Sequence, residues 1–207
     1  MTPGEETPRL LLTRQAHQNL LFATTEVFPK ETDGILIGLM QPDGSYLVDN
    51  AHAFQTSKRK IAMVQTKYSD VRDAYALLHA MNGHPATPHI LGGFHSHPNH
   101  DGIKYKITPS GCDRRGIRKK LLPRQKHLSH WTEIIVRMAE QRFEEPKDER
   151  IYTWANNKRL VTMVRPKPYT GTKFTIAAYT VYPEKDRPYR ELKVELLPPG
   201  LERLANA

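Results

Sequence analysis

The sequence predicts an α/β (α+β) fold in which helices pack against a mixed β-sheet. Helix-like and strand-like segments alternate in the first half of the chain, whereas strand-like segments dominate the second half. A chain of 207 residues with 38% hydrophobic and 26% charged residues can bury one substantial core. We therefore expect a single domain over residues 1–207.

Hydrophobic periodicity places the elements of the first half. Apolar residues recur at helical spacing after Thr13, the expected N-cap, and again after Ser69 or Asp70. The turn sequence Gln41-Pro42-Asp43-Gly44 predicts a hairpin between two apolar segments. The expected elements are a helix from Thr13 to about residue 26, strands at 34–40 and 46–54, a loop or short helix at 55–67, a helix ending before Gly83 and a buried strand at 90–94.

The second half of the chain predicts mostly strands. A helix is expected from Ser110, and Asn156-Asn157 is a turn signal between two apolar segments. Proline-containing segments separate the later apolar segments. The expected strands are 131–138, 151–154, 160–164, 174–182 and 189–196, and the last two form a C-terminal hairpin.

Cysteine content and the N-terminal sequence indicate a cytoplasmic protein. The single cysteine, Cys112, excludes an internal disulfide and structural zinc sites built from several thiolates. No apolar run reaches the roughly 18 residues of a membrane span, so no membrane association is expected. The start of the chain, residues 1–6, lacks the basic and apolar regions of a secretory signal.

The chain is strongly basic, with a net charge of +9 and a pI of about 9.6. A basic run extends over residues 114–126. Most such runs are solvated helix faces. The run is also suited to docking an acidic partner or to contacting phosphates, so nucleic acid remains a less favoured partner.

Two histidines, His95 and His97, follow the apolar run at 90–94 in the sequence. Side chains at positions i and i+2 of a strand project to the same face, so His95 and His97 can hold one ion while Ser96 points away. Pro98 is expected to end the strand because proline cannot donate to a sheet ladder. A His-x-His pair alone is weak evidence for a metal site, since a histidine on a strand is more often a core or surface residue.

Two carboxylates extend this pattern. Asp113, near the start of the helix at Ser110, is expected to supply a third ligand, and two nitrogens with one carboxylate oxygen leave an open position on a tetrahedral zinc. Glu31 precedes the glycine-containing strand at 34–40, where its carboxylate can reach a metal-bound water. Taken alone, Glu31 would be read as a solvated loop residue.

Together these segments resemble the JAMM family, the MPN+ metalloproteases that remove ubiquitin and ubiquitin-like proteins. The family pattern is a glutamate in E-T-x-G-I-L-x-G, then H-S/T-H-P, then S-x-x-D; the matching residues are ETDGILIG at 31–38, HSHP at 95–98, and Ser110 with Asp113. One departure is the spacing between the second histidine and the serine, which is usually seven residues and is twelve here, residues 98–109. This longer loop contains His100 and Asp101, which makes Asp101 an alternative ligand.

The resemblance implies a JAMM/MPN (cytidine-deaminase-like) architecture, a highly curved mixed sheet flanked by helices. It covers a core at about residues 10–165, with the hairpin at about 172–197 as an extension. It implies one zinc ion per chain and a single-metal mechanism. The implied metal ligands are His95, His97 and Asp113, and the implied catalytic residues are Glu31 as general base and Ser110 as oxyanion stabiliser.

The activity that the resemblance implies is zinc-dependent cleavage after the Gly-Gly tail of ubiquitin or a ubiquitin-like protein. An extended Gly-Gly tail suits strand addition in a narrow channel, which the loops at 55–67 and 99–108 are expected to border.

Three alternatives remain open. The substrate is instead a sulfur-carrier protein with the same tail, or the protein binds nucleic acid, or it is a catalytically silent MPN scaffold. The HExxH motif and the H-x-E with P-C-x-x-C motif are absent, which disfavours those two zinc classes.

Overall fold

The computed structural model describes residues 8–55, 57–60, 63–65, 68–82, 89–99, 106–121, 129–148, 150–184 and 189–198. The helices are α1 (Arg14–Val27), α2 (Tyr68–Asn82) and α3 (Gly111–Gly116), and α3 continues into a π-helical turn at Ile117–Leu121. The strands are β1 (Arg9–Leu12), β2 (Asp33–Met40), β3 (Tyr46–Ala53), β4 (Lys58–Lys60), β5 (Met63–Gln65), β6 (His89–Asn99), β7 (Trp131–Arg142), β8 (Arg150–Asn156), β9 (Arg159–Lys167), β10 (Thr170–Val181) and β11 (Arg190–Leu196).

Seven strands close into a ring. Their order is β11-β1-β3-β2-β6-β7-β10, and β10 pairs back to β11 to complete the barrel. β9 and β8 continue the sheet from β10 beyond the ring, whereas β4 and β5 form a separate two-stranded ribbon. Residues from all seven ring strands contribute to one buried cluster, as the interior of a closed ring requires. Helix α1 packs Ala16, Leu20 and Ala23 into the same cluster.

The predicted fold class, an α/β (α+β) curved sheet flanked by helices in a JAMM/MPN architecture, is wrong. The described residues are mostly strand, and their main feature is a closed seven-stranded barrel. The ring includes β1, a four-residue strand that the periodicity did not predict and that joins β11 to β3 by pairing in parallel with both. Periodicity reports which face of a strand is buried, but it does not report which strands pair.

The C-terminal hairpin is part of the barrel wall. β10 pairs with β7 along its whole length, from Thr170 to Val181, and β11 pairs with β1. The region at 172–197 therefore contributes two strands to the ring, and the pairing of these two strands with each other closes it.

The predicted end of the metal-bearing strand at Pro98 is also wrong, because β6 continues to Asn99. Pairing with β2 stops at His95, whereas parallel pairing with β7 continues through Pro98 and Asn99. The nitrogen of Pro98 lies on the β2 side, where no strand pairs with β6 beyond His95. Proline is tolerated there because no ladder hydrogen bond is lost.

The predicted N-cap at Thr13 is confirmed, whereas the predicted loop or short helix at 55–67 is wrong. Thr13 is the N-cap of α1, since its Oγ1 accepts the Ala16 N–H at 3.1 Å. The segment at 55–67 contains β4 and β5 where a loop or short helix was predicted. Within the described ranges, none of the helices combines the length and the apolar character that crossing a membrane requires.

Candidate metal centre

His95 and His97 project from the outer face of β6. Ser96 between them points to the other side, where its Oγ accepts the Thr32 N–H at 2.9 Å. Both histidines are nearly buried, with exposed fractions of 7% and 8%. Their Nε2 atoms lie 3.1 Å apart. The strand period of two therefore brings two imidazole nitrogens to one point.

Asp113 reaches the same point from α3. Its Oδ2 lies 3.8 Å from the Nε2 of His95. One ligand atom from each of His95, His97 and Asp113 lies within 4.8 Å of the others. Two nitrogens and one carboxylate oxygen form a donor set that fits a divalent transition metal, and three protein ligands leave a position open for water.

The other ring nitrogen of each histidine is occupied. His95 Nδ1 lies 2.6 Å from Oε1 of Glu133 on β7, and His97 Nδ1 lies 2.7 Å from the backbone oxygen of Lys106. A carbonyl oxygen only accepts, so Nδ1 of His97 carries the proton and its Nε2 keeps a lone pair in the neutral ring. Partners of this kind orient histidines that bind metals.

Glu133 is itself held in place. Its Oε2 accepts the indole N–H of Trp131 at 2.7 Å. Gly93 on the neighbouring strand leaves room for this arrangement, because a Cβ there would lie 3.0 Å from the Trp131 ring and 3.3 Å from Oε2 of Glu133. The carboxylate is thus fixed between a buried indole and a buried imidazole.

The surroundings of the site shift the pKa values of the two histidines in opposite directions. Burial lowers the pKa of His95, but the hydrogen bond and charge of Glu133, together with Asp113, outweigh burial and raise the pKa to about 9. Burial and the neighbouring His95 lower the pKa of His97 to about 4. Without a metal, the site at neutral pH therefore contains one imidazolium and one neutral imidazole.

Asp113 remains ionised in this environment. Burial opposes its ionisation, but the charge of His95 and the hydrogen bonds from Ser110 lower its pKa overall. The Ser110 N–H donates to Oδ2 of Asp113 at 2.6 Å, and the Asp113 N–H donates to the Ser110 hydroxyl at 3.1 Å. This capping box at the start of α3 fixes the carboxylate that faces the histidines.

Glu31 lies beside the same cluster. It is 7% exposed, and Thr32 next to it is joined to Ser96 by two hydrogen bonds of 2.9 Å. Burial raises the pKa of Glu31 to about 7, against the opposing charge of His95 and with a contribution from Asp113. Glu31 is therefore not the solvated loop residue that was the alternative to its predicted role, and a carboxyl with this pKa can act as a general base at neutral pH.

Contacts from the C-terminal hairpin hold α3 and the segment before it. The Tyr179 hydroxyl donates to the backbone oxygen of Ile107, one residue after the carbonyl that binds His97. Arg114 lies over the Tyr189 ring at 5.3 Å, and Arg118 donates to the backbone oxygen of Tyr182 at 2.8 Å. The barrel wall therefore positions the third ligand.

The structure brings together all the predicted site residues that are described, while the alternative ligand Asp101 and its neighbour His100 lie outside the described residues. Sequence reasoning missed Glu133. The available signal was an acidic residue directly before the apolar run Ile134-Ile135-Val136, where an unpaired charge would be costly.

We expect Glu133→Gln to weaken zinc affinity by about 10- to 100-fold, because the substitution removes the anion that orients His95 and increases its basicity. Titration against a chromophoric zinc chelator measures the change. Glu140→Gln, an exposed position on the same strand, is the matched control and should keep the original affinity. Equal affinities for the two variants would contradict a role for Glu133.

Metal uptake should compete with the proton on His95. Because the metal-free pKa of His95 is about 9, zinc must displace that proton below pH 9, and affinity should rise by about ten-fold per pH unit between about pH 5.5 and 7.5. Calorimetry in buffers of different ionisation enthalpy counts the released protons. Zinc binding without proton release would contradict the protonation state inferred for His95.

Comparisons with known proteins identify no family. No family model matches the chain, and no curated protein matches it. Among solved structures, the chain is similar to protein DSY2949 of Desulfitobacterium hafniense, known from a solution structure, with a TM-score of 0.53 and 16% sequence identity. The likeness covers 91% of this chain and 92% of that chain, and it concerns the fold alone.

Proposed function

We propose that the protein is a zinc-dependent hydrolase that cleaves an amide bond. One zinc ion per chain would be held by His95, His97 and Asp113. The observation that carries the proposal is the convergence of three ligand atoms within 4.8 Å, beside a buried carboxyl with a pKa of about 7. Iron(II) also uses two histidines and one carboxylate, but an additional buried acid with an intermediate pKa favours hydrolysis.

The zinc ion, Glu31 and Ser110 would have different roles in the hydrolysis. A bound zinc ion would supply a Lewis acid that lowers the pKa of a water molecule to about 7. The Glu31 carboxylate accepts a proton from the attacking water and returns it to the leaving amine. The Ser110 hydroxyl accepts the Asp113 N–H, so its own proton remains available for the oxyanion of the tetrahedral intermediate.

The substrate proposed is ubiquitin or a ubiquitin-like protein, cut after its Gly-Gly tail. This choice rests on the resemblance of residues 31–38 and 95–98 to the JAMM motifs, and a sulfur-carrier protein with the same tail is the second candidate. We assign the activity to the cytoplasm, where the exposed free thiol of Cys112 would stay reduced.

The proposal is tested by incubating zinc-loaded protein with linear and isopeptide-linked ubiquitin-like substrates. We expect cleavage directly after Gly-Gly, inhibition by a chelator and recovery on adding zinc. Metal content by mass spectrometry should be near one zinc per chain. A substrate in which Val-Val replaces Gly-Gly is the control and should remain intact. Protein that is fully loaded with zinc and cleaves none of these substrates would contradict a Gly-Gly protease.

A further inference from the structure

The outer face of β8, β9 and β10 is basic. Residues 150–182 contain no aspartate or glutamate, and their six lysines and arginines are Arg150, Lys158, Arg159, Arg165, Lys167 and Lys173. Two acids from elsewhere in the chain pair with them: Asp148 contacts Arg150 at 2.8 Å, and Glu191 contacts Arg159 at 3.2 Å. The remaining positive charge is suited to a polyanion.

Two aromatic side chains lie on the same face. Tyr152 and Trp154 are two residues apart on β8, so both project outward, and their ring centroids are 6.0 Å apart. They are 36% and 39% exposed, although aromatic side chains of this size are usually buried. β8 is the last strand of the sheet, so nothing in the described part of the chain pairs with its outer edge.

Arg165 connects the aromatic side chains to the charges. Its guanidinium lies 4.6 Å from the Tyr152 ring centroid and 5.7 Å from that of Phe143. A Cβ at Gly171 would lie 2.9 Å from Cγ of Arg165, so the glycine allows this side chain to cross the sheet. The Nε–H of Arg165 is buried and finds no acceptor among the described residues. A guanidinium stacked on aromatic rings suits a phosphate oxygen, which its terminal nitrogens would contact, since the Nε is buried.

We propose that this face binds single-stranded nucleic acid. Tyr152 and Trp154 would stack on successive bases, while Arg165, Arg150 and Lys173 contact the phosphates. The exposed aromatic pair favours single strands, because the faces of bases in a duplex are covered by their neighbours. An acidic protein would satisfy the charges but would leave these rings without a stacking partner. The inference uses no residue of the metal centre and is independent of the hydrolase function.

The first test uses an oligodeoxythymidine of about 20 nucleotides carrying a fluorescent label, and full-length protein. Anisotropy should report binding that weakens by roughly 50-fold between about 50 and 200 mM salt if four phosphates are neutralised. Unlabelled oligonucleotide should also quench tryptophan fluorescence, because Trp154 is exposed whereas the other tryptophan, Trp131, is 2% exposed. Absence of both binding and quenching would overturn the proposal.

Variants locate the surface. Trp154→Ala should weaken binding by about ten-fold, and Trp154→Phe should retain most of it because a ring remains. Phe22→Ala, which removes another exposed aromatic side chain on α1, should have no effect. Lys173→Glu should weaken binding more than Lys119→Glu, which changes the basic run at 114–126. The opposite order for the two charge variants would place binding on that run and overturn the proposal.

Competition experiments identify the class of molecule that binds this face. A DNA duplex or poly-glutamate that displaces the oligonucleotide as effectively as unlabelled single strand would overturn the choice of a single-stranded partner. Loss of self-association on Trp154→Ala, with no oligonucleotide binding in the original protein, would instead identify β8 as a contact between two copies.

Discussion

Glu31→Gln should lower the rate of amide hydrolysis by about 10³-fold while zinc remains bound. The amide keeps the size and burial of the side chain but cannot accept a proton from water, and general-base catalysis contributes about 10² to 10⁴ in rate. The carboxyl that it replaces is nearly buried and has a pKa of about 7. Initial rates on a Gly-Gly-linked substrate, measured alongside metal content, test this expectation.

Glu26→Gln provides the matched control for Glu31→Gln. Glu26 is an exposed glutamate on α1, and its substitution should leave the rate unchanged. If Glu31→Gln hydrolysed substrate at the original rate with zinc bound, another group would have to accept the proton. Loss of zinc from Glu31→Gln would instead make this glutamate a metal ligand.

Asp113→Asn should lose zinc, with affinity reduced by more than about 100-fold. Removing an indirect partner of a ligand already costs about 10- to 100-fold, and Asp113 supplies a ligand atom itself. Asparagine can still accept the Ser110 N–H, so the start of α3 should remain capped and folding should be preserved. Metal content after dialysis and circular dichroism separate the two effects.

Asp101→Ala is the comparison that decides between the two candidate carboxylates. We expect this variant to keep one zinc per chain, since His95, His97 and Asp113 already converge. Loss of zinc from Asp101→Ala with retention in Asp113→Asn would transfer the third ligand to the lengthened loop and would contradict the site described here.

The pairing of the two histidines was predictable because it depends on one strand. Any strand directs residues i and i+2 to the same side, so His95 and His97 had to be neighbours once residues 90–99 were extended. The N-cap at Thr13 and the short turn after Asn156 are equally local. Asp113 was selected by its motif, and its approach to the histidines depends on how α3 packs.

Glu133 and the closed barrel were not predictable in this way. Glu133 meets His95 only because β7 runs parallel to β6 in one register, in which Gly93 is opposite Glu133 and leaves space for its side chain. Ring closure depends on β1, whose four residues pair with strands near both ends of the chain. Neither register nor partner is encoded in the periodicity of a single segment.

The sequence by itself therefore determined that His95 and His97 share a strand face, and it named Asp113 as their candidate partner. Only the tertiary structure decided that the sheet closes into a barrel, that Glu133 contacts His95, and that the C-terminal hairpin contacts the helix of Asp113. The physical reason is distance along the chain: side-chain direction is set by backbone geometry within a few residues, whereas strand pairing and closure are set by contacts between distant segments.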